Sequence, residues 1–402
     1  MPETPAKTDR ELDLVLLGAT GFTGGLVADY LAEHAPAGLR WALAGRNEAK
    51  LAAVRDRLAA KAPDANTLEL VVVDSADTEA LTAMAARTKV VASTVGPYQQ
   101  LGGPLVAACA AAGTDYADIT GEPEFVDETY LAHHETAVAS GARIVHACGF
   151  DSVPHDLGAY FTMLQLQPTG KVALRGVVRS NGSFSGGTFH SAIGAFSRGK
   201  QMGATAKKRR QAEGRPEGRS SKPVAGKPGK DSLLGYYLLP LPTIDPQVVA
   251  RSGAALSSYG PEFRYSHFAG LKTLRYAVGG AVGVAGLGLA AQVPPLRKQI
   301  LGRIKQGEGP TPERREKSWF TVDFVAEHGG TTLHTRVSGG DPGYTETAKM
   351  LSECALSLAF DDNPHLSGCL TTAQAMGDNL LGRLRAAGMR FEVLDDGADA
   401  GD

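Results

Sequence analysis

The chain has 402 residues, of which 43% are apolar and 21% charged, and its formal net charge is −2. This is the usage of a soluble globular protein with room for two or three domains rather than of a disordered or fibrous one, and so small a net charge says little about partners. Four scattered cysteines, Cys109, Cys148, Cys354 and Cys369, form no C-x-x-C pair, and Met1 to Arg10 is polar without a hydrophobic signal core; a reduced, cytoplasmic setting without export is expected.

The first predicted element is the apolar strand Leu14-Val15-Leu16-Leu17, which runs directly into Gly18-Ala-Thr-Gly-Phe-Thr-Gly-Gly25. A strand feeding a G-x-x-G-x-x-G turn predicts a dinucleotide-binding loop: Gly18 makes the tight turn, Gly21 lets backbone approach the pyrophosphate, and Gly24 allows the helix to sit close on the strand. The following helix, roughly Phe22 to His34, then aims its free N–H groups and positive dipole end at the phosphates. Thr20, Phe22 and Thr23 join the glycines as candidate cofactor contacts.

A second strand, Trp41 to Ala44, ends in Gly45-Arg46, where an NAD site usually places a carboxylate for the ribose 2′-hydroxyl. Arg46 stands there instead, and a guanidinium favours the 2′-phosphate of NADP; the plainer reading is a solvated residue opening the next helix. Leu70 to Val73 reads as a buried third strand ending in Asp74, which either holds the adenine amino group or caps the following helix. Further strands are predicted near 89–93, 114–118 and 143–147, alternating with helical stretches at 47–60, 78–86, 103–112 and 123–140. This is the pattern of a Rossmann-type, doubly wound parallel sheet over residues 1–150.

Ligands bind such sheets outside the carboxyl ends of the strands. Two loops fall there: Ser93-Thr94-Val95-Gly96-Pro97-Tyr98, and Cys148-Gly149-Phe150-Asp151-Ser152-Val153-Pro154-His155. Thr94, Gly96 and Pro97 are candidate cofactor contacts, and Tyr98, Ser152 and His155 candidate catalytic groups, with Tyr116 as a further polar group nearby. Tyr98 reads equally as a turn aromatic, His155 as a satisfied polar residue at a helix start, and Asp151 and Asp156 as helix caps.

These segments, with Tyr116-Ala-Asp-Ile-Thr-Gly-Glu122, Gly149-Phe-Asp-Ser-Val-Pro154, Asp341-Pro-Gly-Tyr344 and Ala375-Met-Gly-Asp378, resemble the saccharopine dehydrogenase-like family. Within it the chain most resembles the trans-acting enoyl reductases of actinobacteria, which act on polyketide-derived lipid precursors. The resemblance implies hydride transfer from NADPH, an acyl or lipid-like substrate that is free or carrier-bound, and a nicotinamide lined by the loops after strands four to six. The cofactor carries the hydride chemistry, and the protein supplies orientation, a dry pocket and a proton. Two alternatives stand beside it. One is a saccharopine-type dehydrogenase acting on an amino-acid imine, for which Arg175, Arg179 and Arg336 would converge on substrate carboxylates; the other is a non-catalytic NADPH sensor. No Tyr-x-x-x-Lys, H-E-x-x-H or G-x-S-x-G is present, and His133-His134-Glu135 lies on a predicted helix where adjacent residues do not share a face, so no metal is expected.

Residues 151–394 are expected to form a second, α+β domain carrying a mixed sheet. Lys171 to Ser180 alternates as a strand, and Gly186-Gly187 opens a segment compatible with a helix to Arg198. Residues 198–230 hold eleven Lys or Arg against two acids and read as a mobile basic loop, suited to an anionic carrier or lipid surface; without aromatic stackers or a reader fold, nucleic acid is not expected. Tyr276 to Val293 is an apolar stretch weak in hydrophobicity that just reaches the lower length of a spanning helix, and is compatible with that, with peripheral membrane contact, with a buried helix or with an oligomer interface. Ser318–Glu327 and Thr331–Ser338 flank Gly329-Gly330 as a hairpin, helices are expected at 345–359 and 371–387, a closing strand at 389–394, and a disordered tail at 395–402.

Overall fold

A computed structural model describes residues 7–182, 193, 197–303 and 309–394. The expected helix after Gly186-Gly187 falls largely outside these residues, as does the 395–402 tail.

Fifteen strands arrange in two sheets. The first contains β1 (Leu12–Leu17), β2 (Trp41–Gly45), β3 (Glu69–Val72), β4 (Thr88–Ser93), β5 (Asp115–Asp118), β6 (Arg143–Val145) and β14 (Gly368–Leu370), in the order β14-β6-β5-β4-β1-β2-β3. All its pairings are parallel. Such a sheet is covered on both faces, so its central strands read as unbroken apolar runs; β1 and β2 are buried from end to end. Helices α1 (Phe22–His34), α2 (Glu48–Ala59), α3 (Thr78–Ala86), α4 (Tyr98–Leu101), α5 (Gly103–Ala112) and α6 (Pro123–Ser140) connect successive strands. All six predicted strands are present, although β3 lies at the sheet edge and is only half-buried, not buried as expected; the order reverses between β1 and β4, which opens the ligand crevice of this fold there.

The seventh strand comes from far along the chain: β14 extends the β6 edge with Gly368 opposite Arg143. The segment 151–394 thus does not stand apart from the first sheet.

The second sheet is mixed, in the order β15-β13-β12-β7-β11-β10-β9, with β8 also on β11. It contains β7 (Lys171–Ser180), β8 (Ser220–Pro223), β9 (Gly229–Lys230), β10 (Tyr237–Pro240), β11 (Glu262–Leu271), β12 (Phe320–His328), β13 (Thr331–Gly339) and β15 (Arg390–Leu394). Gly329 and Gly330, both at positive φ, make the expected β12–β13 hairpin turn. The later part of the chain also contributes the helices α7 (Val153–Leu166), α8 (Gly199–Glu213), α9 (Asp245–Ala255), α10 (Leu274–Gln292), α11 (Pro294–Arg303), α12 (Pro312–Glu316), α13 (Thr345–Phe360) and α14 (Thr372–Ala386), of which α13 packs on α1, β4 and β5 of the first sheet.

Helix α7 joins the two sheets. A Cβ on Gly158 would lie 2.3 Å from the Phe324 ring and 2.8 Å from Val337, so glycine here sets how closely α7 lies on β12 and β13. Leu14, Leu16, Val153, Leu157, Phe324 and Met376 belong to one continuous apolar core.

The expectation of a mobile basic loop at 198–230 is overturned. Most of the segment is helix α8 with strands β8 and β9, held by three of its arginines. The Arg209 side chain is buried and its Nε donates to Asp127 at 2.9 Å; Arg198 pairs with Glu124 at 2.8 Å; Arg219 donates to the Gly253 carbonyl at 2.9 Å. A buried guanidinium with carboxylate partners clamps structure rather than awaiting an anionic ligand.

Candidate active site

The glycine loop has the geometry its spacing predicts. Gly18 has φ +94°, and a Cβ there would meet Thr94 Oγ1 at 2.5 Å; a Cβ on Gly24 would sit 2.1 Å from the Gly18 carbonyl oxygen. Gly21 is the N-cap of α1, exposed and without a side-chain cap, and the first turn holds no acid. By contrast α2 and α3 are capped by Asn47 and Asp77 and carry Glu48 and Glu79 in their first turns. The α1 terminus therefore keeps its first N–H groups and dipole for an anion, as a pyrophosphate requires. Thr20 lies exposed on the loop and Thr23 partly exposed on the first turn. Phe22 is packed edge-on against Tyr344 at 4.9 Å, so the Asp341-Pro-Gly-Tyr344 segment covers the start of α1.

Arg46 is exposed at the carboxyl end of β2, free of any ion pair among the described residues. Asp74 is exposed too and accepts from the Ala76 amide at 2.9 Å; the cap of α3 is Asp77, so the capping alternative for Asp74 is corrected. Thr94 donates from its amide to the Leu17 carbonyl at 2.9 Å and from its hydroxyl to Gly18 O at 3.2 Å, which ties the loop after β4 to the glycine loop. Gly96-Pro97, joined by a cis bond, turns the chain into α4, whose first amides at Tyr98 and Gln99 donate to the Glu122 carboxylate at 3.1 and 3.0 Å.

Tyr98 is misplaced as a proton donor. Its ring is buried beneath the loop, and its hydroxyl donates to the Ser93 carbonyl at 2.9 Å while accepting from the Ile119 amide. Burial pushes the phenol far above its ordinary range. Tyr98→Phe is expected to leave turnover nearly unchanged and to lower stability by about 1 kcal/mol, measured by urea unfolding beside nicotinamide oxidation; a large loss of turnover at intact stability would restore the catalytic reading. Tyr116 is likewise internal, donating to Asp118 Oδ2 at 3.0 Å. Asp118 also accepts from the Thr120 and Ala147 amides and lies 2.8 Å from His146 Nδ1, holding the ends of β5 and β6 together.

The loop after β6 brings a different set together. Ser152 is fully buried at the N-cap of α7, and its Oγ has no partner among the described residues. His155 Nδ1 is 2.8 Å from Asp245 Oδ1, and Nε2 has no partner among the described residues. Asp245, at the start of α9, also lies 3.7 Å from His267 Nε2, and His267 Nδ1 is 3.0 Å from the Tyr265 hydroxyl. Burial opposes the Asp245 charge, yet the facing His155 and His267 and a hydrogen bond from Thr243 hold its carboxyl below the usual range. Burial lowers His267 to about 4, so it is neutral at physiological pH. Asp151 completes the cluster, its carboxyl against Gly121, where a Cβ would be 2.7 Å from Oδ2. Loss of solvent and the neighbouring Asp245 charge raise it to about 7.

Asp151, Asp245, Tyr265 and His267 were not singled out as catalytic in the sequence. Asp151 has the sequence position of a cap but makes no such bond among the described residues, and Asp156 serves the start of α14 rather than α7 by accepting from the Thr372 hydroxyl and the Ala373 amide. Asp245-Pro246 has the look of a helix start. The legible signal was on β11, where Phe263, Tyr265 and His267 alternate on the buried face: an imidazole in an apolar row.

The three arginines expected to converge do not. Arg175, Arg179 and Arg336 lie on the face of the second sheet opposite Gly176, Tyr265 and His267, by the registers of β7, β11, β12 and β13. Each is engaged: Arg175 with Asp231 and Glu327, Arg179 with Tyr236, Arg336 with Asp323. His134 accepts from the Cys369 amide at 3.1 Å and stacks on Tyr130, a structural role.

A parallel sheet with a glycine-cradled, uncapped helix terminus and an acid–imidazole cluster past its strand ends defines a nucleotide-dependent oxidoreductase. Residues 14–145 match the saccharopine dehydrogenase NADP binding domain. The yeast saccharopine dehydrogenase (L-Glu forming) from Saccharomyces cerevisiae shares the fold, with a TM-score of 0.53 over 95% of this chain and 99% of that one, at 14% identity. A Mycobacterium tuberculosis protein provisionally named a trans-acting enoyl reductase is 40% identical over 96% of this chain and 98% of its own. The trans-acting enoyl reductase of Mycobacterium bovis is 36% identical over 95% and 97%, and that of Mycobacterium ulcerans 35% over 96% and 98%. The chain belongs to the trans-acting enoyl reductase branch of the saccharopine dehydrogenase-like family, and its first domain is an NADP-binding domain.

Proposed function

We propose that the protein reduces the carbon–carbon double bond of an α,β-unsaturated acyl group on a lipid or polyketide-derived intermediate. The observation that carries the chemistry is the Asp151–His155–Asp245 cluster at the strand ends of an NADP-binding sheet, and the names of the mycobacterial relatives, trans-acting enoyl reductases, support the enoyl group as its target. NADPH, when bound, supplies the hydride to the β-carbon and is itself oxidised. The residues that would cradle it are Gly18, Gly21 and Gly24: Gly18 and Gly24 let the loop and α1 pack closely, and Gly21 leaves the uncapped helix terminus bare; Thr20, Thr23, Gly96 and Pro97 border the same crevice, with Asp74 at the adenine end. The chain then has two tasks: to stabilise charge on the acyl oxygen and to deliver a proton to the α-carbon. Asp151, protonated near neutrality, is the donor of that proton. Asp245 fixes the His155 ring through Nδ1 and leaves Nε2 as an acceptor that can orient the protonated Asp151 carboxyl, and the Ser152 hydroxyl is a donor for the acyl oxygen.

Arg46 selects the cofactor. Arg46→Ala is expected to weaken NADPH binding by roughly 10- to 100-fold, the worth of a charge-assisted contact, with NADH nearly unaffected; equal effects on both would make Arg46 structural. The proposal as a whole is tested by titrating the protein with NADPH and NADH and then adding an enoyl thioester while following nicotinamide absorbance. Oxidation coupled to saturation of the thioester supports it. Oxidation with an amino-acid imine instead, or NADPH-selective binding with no oxidation across a panel of enoyl thioesters, would move the assignment to an imine dehydrogenase or to a sensor.

A further inference from the structure

Helix α10 is out of keeping with every other element of the fold. It is 19 residues long, with a mean hydropathy of 1.4 in its most apolar window, and only 6% of that window is buried. A helix apolar on all sides is ordinarily enclosed by protein or lipid. Here Leu274, Tyr276, Val278, Val282 and Leu289 all face outward, Val282 at 67% exposure and Leu289 at 73%. The helix touches its own domain at β10 and β11, with Gly280 close to Leu239 on β10 and Ala291 buried near its end, and the rest of its surface is open. A continuous exposed apolar surface of this kind marks an interaction site.

The charges around it choose the partner. From Phe263 to Gly307 the sequence contains no Asp or Glu, while Lys272 and Arg275 stand at one end of α10 and Arg297 and Lys298 just past the other. Two copies of this hairpin meeting face to face would bring cations together with no acid to pair them. A layer of anionic headgroups is complementary at both ends.

Topology fixes the orientation. The chain enters α10 from β11 and returns to β12, and both strands flank β7 in one sheet. Both ends of the α10–α11 hairpin therefore lie on one side of any bilayer, and α11, with ten residues including Arg297 and Lys298, is too short and too charged to cross back. We propose that α10 docks in the plane of an anionic membrane surface, its roughly 28 Å length sunk to the headgroup–acyl boundary and its terminal cations among the headgroups. This inference does not depend on the reaction assigned above.

The test is co-sedimentation of the full chain with phosphatidylcholine vesicles, with and without phosphatidylglycerol. Three proteins are compared: the wild type, a Val282→Asp/Leu289→Asp variant, and a variant with Lys272, Arg275, Arg297 and Lys298 each changed to Gln. These side chains are at the surface of the hairpin, and unchanged melting temperatures verify folding. Binding to the phosphatidylglycerol vesicles is expected, lost by tenfold or more in the aspartate variant and weakened by roughly fivefold per cation removed. No sedimentation with anionic vesicles overturns the proposal, and so does equal binding to phosphatidylcholine alone. A wild-type dimer in light scattering that the aspartate variant converts to monomer, without vesicle binding, assigns α10 to self-association instead.

Discussion

Asp151→Asn is expected to lower the rate of enoyl reduction by 10²- to 10⁴-fold, the usual worth of a positioned general acid, while NADPH binding persists. The reason is placement together with protonation. Asp151 sits at the loop after β6, against Gly121 of the loop after β5, and burial with the nearby Asp245 charge raises its carboxyl to about 7. As a proton donor it works below that value, so kcat/KM in the wild type should fall about tenfold per unit as pH rises beyond about 7, and this limb should vanish in the variant. Stability falls over a lower pH range. A carboxyl whose folded value lies above its unfolded one is held most favourably when protonated, so its contribution is present below about 4 and lost as pH rises from there to about 7. Asparagine has no charge to shed, so its melting temperature at pH 8 should equal or exceed that of wild type. A variant that keeps its rate and its alkaline limb would move the donor's role to His155.

Gly24→Ala should abolish binding of NADPH and NADH alike. The added Cβ would lie 2.1 Å from the Gly18 carbonyl oxygen and 2.8 Å from its carbon, backbone atoms that cannot swing aside. Helix α1 must lift from β1, at a cost of about 1–3 kcal/mol or more for overpacking, and its N–H groups then miss the pyrophosphate. Gly25→Ala is the control. Its Cβ would meet nothing closer than 3.7 Å, so ordinary helix propensity predicts a stabilisation of about 0.5–1 kcal/mol with binding retained. Fluorescence titration and thermal melting of the two variants read both effects, and wild-type affinity in Gly24→Ala would refute the close-packing account.

What could be read beforehand follows from the range of the forces involved. The six strands from β1 to β6 and the glycine loop are local: apolar runs, turn glycines and capping residues write themselves within a few positions. The site is not local. Asp245 and His267 come to His155 from helix α9 and strand β11, and in sequence one resembles a helix start and the other a sheet residue. Tyr98 shows the reverse error: an aromatic hydroxyl in a ligand loop invites a catalytic role, yet its bond to Ser93 holds the loop itself. Arg175 and Arg179 were available by count but lie on the wrong face, since alternation tells which residues share a face and not where that face looks. The stretch 198–230 has the composition of a solvated loop, and what its arginines bind, Asp127 and Glu124 on α6 and the Gly253 carbonyl on α9, lies elsewhere in the chain.

The late arrival of β14 bears on how the protein is made. On the ribosome, β6 is complete once Val145 emerges, but its outer edge stays bare until Gly368 appears, more than half the chain later. At about 5–20 residues per second this interval lasts roughly 10–45 s, during which unpaired strand N–H and C=O groups can recruit a neighbouring nascent chain. Fragments ending before β14 inherit the same open edge permanently. The nucleotide-binding half is thus sealed by its own C-terminal segment, so intact synthesis and solubility are coupled through three residues.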